Sequence, residues 1–194
     1  MNKNKLILAY AAALVTLLIW SGTVVVNKIA VKYMDGFSIG VLRSILAGIG
    51  AAFFVFLFKL DFPKNNSDKI LLAVSGFASF SVWPILMSTG IQYTSASHAA
   101  LIVALIPILT VCLKLLMDRS LPNLQWLFGA GLAIVATVVL IFAQQSSTGL
   151  NNEKIQSVFV GDLIVLVGAF ICALGFVSGS YVSSSIGALA TTFG

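Results

Sequence analysis

The chain has 194 residues, of which 59% are hydrophobic and only 9% are charged, whereas about 25% are charged in soluble domains. This small number of charged side chains cannot cover a globule of this size in water. Most of the chain must therefore lie in lipid. The net charge of +5 is therefore no sign of nucleic-acid binding, because in a membrane protein the position of basic residues matters. The two cysteines, Cys112 and Cys172, lie in apolar segments, which argues against a disulfide framework and a thiolate metal site.

Stretches without charge divide the chain into predicted transmembrane helices, each near the ~20 residues that cross the hydrocarbon of a bilayer. The longest, Ile70–Leu113, is about twice that length, and its polar middle, Gln92–His98, separates two helices. Strands are excluded because an open sheet edge cannot be satisfied in lipid. The sequence thus predicts an all-α, multi-pass bundle of about six helices: Leu6–Asn27, Gly36–Phe58, two within Ile70–Leu113, one that ends near Ala143, and one from Asp162 to about Tyr181.

The basic residues predict the orientation of the bundle, because short loops rich in Lys and Arg stay in the cytoplasm. With the N-terminus inside, most of the basic residues fall on the inner side. The inner segments hold Lys3, Lys5, Lys59, Lys64, Lys69, Lys114 and Arg119, and the outer segments hold Lys28, Lys32 and Lys154.

Polar residues at helical spacing predict which helix faces turn inward, because a lipid-facing helix has no need of them. One such row lies in the first predicted helix and another in the third. The alternative is that the hydroxyls bond to the preceding turn of their own helix and that the tryptophans are interfacial anchors. If the rows line a cavity, its wall is formed by Thr16, Trp20, Thr23 and Asn27, and by Ser75, Ser79, Trp83 and Gly90.

Arg43 lies inside the second predicted helix, about 10 Å from its start at 1.5 Å per residue. A central arginine costs ~2.5–3.5 kcal/mol on insertion scales, and small residues such as Gly36 and Gly40 stand near it at helical spacing. We therefore expect Arg43 to face protein and to donate to carbonyls of a neighbouring helix end. Direct contact with a substrate is the alternative. Pro84 and Pro107 fall within helices and predict kinks.

His98, the single histidine, opens the fourth predicted helix on the outer side. Capping and polar packing are its simplest roles, and proton or substrate binding is the alternative. His98, Glu153 and Asp162 share the outer face, but their spacing does not suggest cooperation, so an enzyme is not expected. Neither a phosphate-binding loop nor a metal-ligand spacing occurs, so no metal and no cofactor is expected. The candidate cavity residues are Trp20, Ser79, Trp83 and His98, with Arg43 and Pro107 as organising residues.

Four segments form a further pattern: Ile19–Gly22, Phe37–Arg43, the run from Gly90 to Ile102 followed by Pro107, and Gln125–Leu132. Together they resemble the drug/metabolite transporter superfamily, in particular its EamA-type transporters, and the likeness covers essentially the whole chain. Members of that family usually have a glutamate where this chain has Asp118.

The resemblance implies ten helices in two inverted repeats of five. Residues 1–150 would then form the first repeat, and 151–194 the sixth helix and the beginning of a seventh, after which the chain looks truncated. It also implies a secondary transporter of the inner membrane with a cytoplasmic N-terminus. Such a protein exports small metabolites, such as amino acids or amphipathic compounds, by alternating access.

Two alternatives remain: a non-transporting membrane subunit, and a shortened, inactive family member that needs a second half. The expected partners are a small-molecule substrate, the lipid bilayer, and a second copy of the chain or a complementary half, but no nucleic acid. Because the site of inverted-repeat transporters lies between the repeats, we expect that the 194 residues do not transport as a monomer.

Overall fold

The computed structural model describes residues 3–59, 62–147 and 152–193, and within these ranges it contains helices and no strand. Five helical stretches are long and apolar enough to cross a membrane, and Leu124–Leu140 is a shorter apolar one. The predicted all-α, multi-pass bundle is thereby confirmed. The helices are α1 (Lys3–Ser21 and Thr23–Ala30), α2 (Gly36–Phe58), α3 (Asn66–Tyr93), α4 (Ala96–Asp118), α5 (Leu124–Ser147), α6 (Asn152–Ile186) and α7 (Ala188–Phe193).

The helix boundaries differ most from the prediction at the start of α6, which begins at Asn152 rather than near Asp162. Charged residues mark where a helix leaves the hydrocarbon but do not end the helix itself, since they are good helix formers in water. The turn predicted within Gln92–His98 is confirmed and is short, because the Ser95 side chain caps α4 by accepting from the amide N of His98 at 3.0 Å. A short α7 follows Gly187, whose φ of 85° ends α6.

Helix α6 lies at the centre of the bundle and packs on α3 in the opposite direction. Its glycines at every seventh position, Gly161, Gly168 and Gly175, touch α3. A Cβ added at Gly161 would lie 2.8 Å from the carbonyl O of Gly90. Small residues allow this close approach of two helices in lipid. The buried side of α6, at most 1% exposed, consists of Val165, Ala169, Cys172, Ala173, Val177 and Val182.

Two spanning helices are irregular, each next to a proline. In α3 the segment Phe77–Val82 is a π-helix that ends directly before Trp83–Pro84. In α4 the helix is interrupted at Ala104 and resumes at Ile106, one residue before Pro107. Proline has no N–H for the carbonyl four residues earlier, so the predicted kinks arise where the regular hydrogen-bond pattern fails.

Helix α2 packs on α3 through its N-terminal half. The Asp35 carboxylate caps α2 by accepting from the amide N of Ser38 at 2.9 Å, and this hydrogen bond lowers the pKa of Asp35. A Cβ added at Gly36 would lie 2.2 Å from the carbonyl O of Ser88, whereas one added at Gly50 would meet nothing within 4 Å. The small residues of α2 therefore bring it close to α3 only in its N-terminal part, at Gly36 and Gly40, and not at Gly48 and Gly50.

Candidate functional site

A cavity of about 740 Å³ lies between α1, α2, α3 and α4, with one side chain contributed by α6. This volume lies within the range of ~300–1,000 Å³ that is typical of small-molecule sites. Apart from one arginine and a few hydroxyl groups, its wall is apolar or aromatic. The lining residues are Leu17, Trp20, Ser21, Thr23, Val24, Arg43, Trp83, Met87, Ala100, Val103, Ala104, Ile106, Pro107, Thr110, Val111 and Phe176.

The structure places two of the predicted cavity residues, Trp20 and Trp83, in this wall. Trp83 is 7% exposed, and its ring packs on Gly168 of α6, where an added Cβ would lie 3.1 Å from the ring. Trp20 is 48% exposed. Pro107 also lines the cavity, directly after the point where α4 is interrupted.

Arg43 is also in the cavity wall. Its Nη1 atom is buried and has no hydrogen-bond partner among the described residues. The expectation that this group donates to carbonyls of a neighbouring helix end is therefore not met at Nη1. The physical reason is the crossing of α2 and α3, which brings the backbones together at Gly40, one turn before the arginine, and leaves Arg43 beside open space.

Ser79 lies outside the cavity wall, although its spacing predicted a place in it. It is 6% exposed and packs on α6, where a Cβ added at Gly175 would lie 2.2 Å from the Ser79 hydroxyl. Ser75 meets Gly179 in the same way, at 2.7 Å. Most of the polar row of α3 is thus a helix-packing face, because small hydroxyl residues fit against glycines as well as they fit against a cavity.

The predicted inward row of α1 is buried only in the C-terminal half of that helix. Asn27 is 3% exposed, and its side chain amide N is 3.7 Å from the sulfur of Met87. The Thr16 hydroxyl instead donates to the carbonyl of Ala12 at 2.9 Å. This is the alternative interpretation, in which a hydroxyl bonds to the preceding turn of its own helix. Lys28, one residue beyond Asn27, donates from Nζ to the carbonyl of Ile91 at 2.8 Å.

His98 also lies outside the cavity wall and forms a hydrogen bond with Asp162 that the sequence did not reveal. Its Nδ1 is 2.9 Å from Oδ2 of Asp162, and the Thr94 hydroxyl donates to the same carboxylate. The spacing of His98 and Asp162 in the sequence suggested no cooperation between them. In the structure their side chains are nevertheless in contact. They are 64 positions apart, and only the packing of α4 on α6 brings them together.

A second carboxylate links the C-terminal end of α4 to α6. The Tyr181 hydroxyl donates to Asp118, and the Lys114 ammonium lies 5.8 Å from the centre of the Tyr181 ring. Asp118 thus has a hydroxyl partner. Among the described residues no group of His, Cys, Asp and Glu side chains is arranged to hold a metal ion.

The cavity contains residues that the sequence analysis did not select, among them Met87, Thr110 and Phe176. The Thr110 hydroxyl donates to the carbonyl of Ile106 at 2.8 Å, one turn earlier in α4. This bond to the preceding turn of its own helix is common for hydroxyl residues in membrane helices, so the sequence offered no particular signal for Thr110.

Comparison with known proteins places the chain among membrane transporters. The family model described as EamA-like transporter family matches residues 7–142. The chain is 27% identical over 186 residues to the uncharacterized transporter YdeK of Bacillus subtilis (strain 168), which covers 95% of the chain and 61% of that relative. It is 23% identical over 184 residues to the uncharacterized transporter YetK of the same organism, covering 94% of the chain and 54% of the relative.

A third relative is an uncharacterized transporter of Archaeoglobus fulgidus, 24% identical over 179 residues, with 92% of the chain and 58% of the relative covered. The chain therefore spans between about half and three-fifths of the length of these relatives. No solved structure gives a significant match.

Proposed function

The chain belongs to the EamA-like transporter family, and from this we propose that it acts as a secondary transporter of the inner membrane. It exports small metabolites, such as amino acids or amphipathic compounds, by alternating access. The observation that carries the proposal is the cavity of about 740 Å³ that Trp20, Arg43 and Trp83 line. It lies between helices that are long and apolar enough to cross a membrane.

The depth of this cavity supports the proposal. Trp83 lies ten residues from the outer end of α3 at Tyr93, or about 15 Å at 1.5 Å per residue. Trp20 lies as far from the outer end of α1 at Ala30. This depth is about half of the ~30 Å hydrocarbon core, and transporters built from inverted repeats bind their substrates near the midplane.

The transporting unit contains more than one repeat in this proposal. Residues 1–150 form the first repeat and 151–194 begin a second, inverted one. The direction of α6 supports this, since α6 runs opposite to α3 and hence opposite to α1, which runs parallel to α3. A second copy of the chain or a complementary half completes the site, to which Trp20 offers a half-exposed indole.

Substrate flux tests the role of the two cavity tryptophans. We expect Trp20→Ala and Trp83→Ala each to raise the KM for uptake of radiolabelled phenylalanine into proteoliposomes by about tenfold or more, because burial of an aromatic side chain contributes about 1.5–3 kcal/mol. The matched control is Trp126→Ala, since Trp126 is the third tryptophan, half-buried in α5 and outside the cavity wall.

Equal kinetics in all three variants would contradict the cavity assignment. Photobleaching of fluorescent chains in the same proteoliposomes counts the copies in each active unit. Saturable flux from single chains would contradict the need for a partner. Pure, folded protein without any flux would instead favour the non-transporting subunit.

A further inference from the structure

The Arg43 guanidinium is the one charged group in the described wall of the cavity. Its Nη1 atom is buried and has no hydrogen-bond partner among the described residues. An unpaired, buried N–H of a charged group is costly, so in the working protein it bonds to water or to a ligand that enters the cavity. Arg43 lines the cavity, so an occupant of that space lies beside its guanidinium.

None of the carboxylates that the structure describes near the helix ends pairs with this group: Asp68 lies in the first turn of α3, and three others contact other residues. Asp35 accepts from the amide N of Ser38, Asp118 accepts from Tyr181, and Asp162 accepts from Thr94 and contacts His98. The lining residues include neither Asp nor Glu. The positive charge in the cavity therefore has no counter-charge within the described part of the chain.

The rest of the wall suits an apolar body. The Trp20, Trp83 and Phe176 rings and the Met87 thioether line the same space as Arg43. Aromatic side chains bind apolar and aromatic groups through large contact areas. Arginine binds a carboxylate through two parallel hydrogen bonds, and such charge-assisted bonds are strongest where water is excluded.

We propose that Arg43 forms an anion-binding subsite of this cavity, and that the substrate is an amphipathic organic acid with one carboxylate and an apolar or aromatic body. The proposal rests on the proposed transport function and narrows its substrate class. Without substrate, the guanidinium bonds to water, and the carboxylate of the substrate then replaces that water.

A pair of compounds that differ only in charge tests the proposal. The probes are tritiated N-acetylphenylalanine, an anion, and its neutral amide, N-acetylphenylalaninamide, as competitor, with the full chain in lipid nanodiscs and binding measured by scintillation proximity. We expect the acid to bind roughly 10- to 100-fold more tightly than the amide, which is the range for a hydrogen bond to a charged group.

Variants of Arg43 assign this preference to its side chain. We expect Arg43→Gln to abolish the preference for the acid and to leave the affinity for the amide within about threefold. Arg43→Lys retains the charge without the planar fork, so the preference should fall only partly. The control is Lys32→Gln, which removes the same charge from an exposed residue beyond the outer end of α1, and we expect both affinities to stay unchanged.

The outcomes separate the two claims. Saturable binding of the amide without preference for the acid in the unmodified chain overturns the anion subsite and leaves the proposed transport function intact. Equal losses for acid and amide in Arg43→Gln overturn the subsite as well. Absence of saturable binding for both probes overturns the cavity as a substrate site, and with it the anion subsite. The preference of the unmodified chain is decisive even where Arg43→Gln does not fold.

Discussion

Individual polar residues inside the bundle lie either in helix contacts or in the cavity wall. Spacing along the sequence identified His98, Ser79, Trp83 and Arg43 as unusual for a membrane span, but it did not separate the two environments. The partner of each residue comes from another helix, as Asp162 does for His98. Periodicity reports which face of a helix a residue occupies, and it carries no information on the residue opposite.

The His98–Asp162 pair makes a prediction at this scale. We expect His98→Ala to lower the free energy of unfolding by about 1–3 kcal/mol, because it leaves the carboxylate, which is 18% exposed, with one hydrogen-bond donor fewer. His98→Gln retains a donor and should restore part of the loss. Thermal unfolding in detergent measures both variants. Equal melting temperatures for His98→Ala and the unmodified chain would show that the pair does not contribute to stability.

At the scale of helices, small residues spaced by four occur in both α6 and α5, but a Cβ added at their glycines meets a neighbouring helix only in α6. The motif Gly175-x-x-x-Gly179 contacts α3 through Ser79 and Ser75, whereas a Cβ added at Gly129, in the similar motif of α5, would meet nothing within 4 Å. A stretch of small residues permits close contact, but a partner helix must also be present. The start of α6 was misplaced for a related reason, since hydropathy follows the bilayer and not the end of the helix.

The contrast between two glycines can be measured directly. We expect Gly161→Ala to lower the stability of the chain by about 1–3 kcal/mol through overpacking, because its Cβ would lie 2.8 Å from the carbonyl O of Gly90. Gly129→Ala makes the same chemical change in open space. It should leave stability unchanged or raise it by up to about 1 kcal/mol, the helix propensity gain. Unfolding in detergent compares the two, and equal losses would contradict the packing of α6 on α3.

For the whole molecule, hydropathy predicted the number and order of the helices, but not that α6 is the central one. Lipid and protein interior are both apolar, so a central helix has no greater hydropathy than an outer one. The buried residues of α6 include the small Ala169 and Ala173, but small residues also occur in α2 and α5, so residue size alone does not identify the central helix either. The cavity was beyond prediction because it depends on the positions of five helices at once.

The orientation of the bundle is testable with single cysteines in a chain that lacks Cys112 and Cys172. We expect a membrane-impermeant maleimide to label Tyr33→Cys in intact cells, because Tyr33 follows α1 on the predicted outer side and is 87% exposed. Ser67→Cys, beside the basic segment between α2 and α3, should react only in inverted vesicles. Labelling of Ser67→Cys in intact cells would reverse the proposed orientation.

The π-helical turn of α3 sets the relative rotation of the two halves of that helix. Hydrogen bonds from residue i to i+5 place one more residue in Phe77–Val82 than a regular α-helix would. Removal of that residue would rotate the N-terminal half of α3, Asn66–Gly76, by about 100°, which is the angle between successive residues of a helix. This rotation would turn Ser75 away from Gly179. The extra residue therefore adjusts the rotation of the helix so that both halves of α3 present a matching face to α6. Conversion of the Phe77–Val82 segment to regular α-geometry would rotate the N-terminal half of α3 and release it from α6, while Trp83 stays in place.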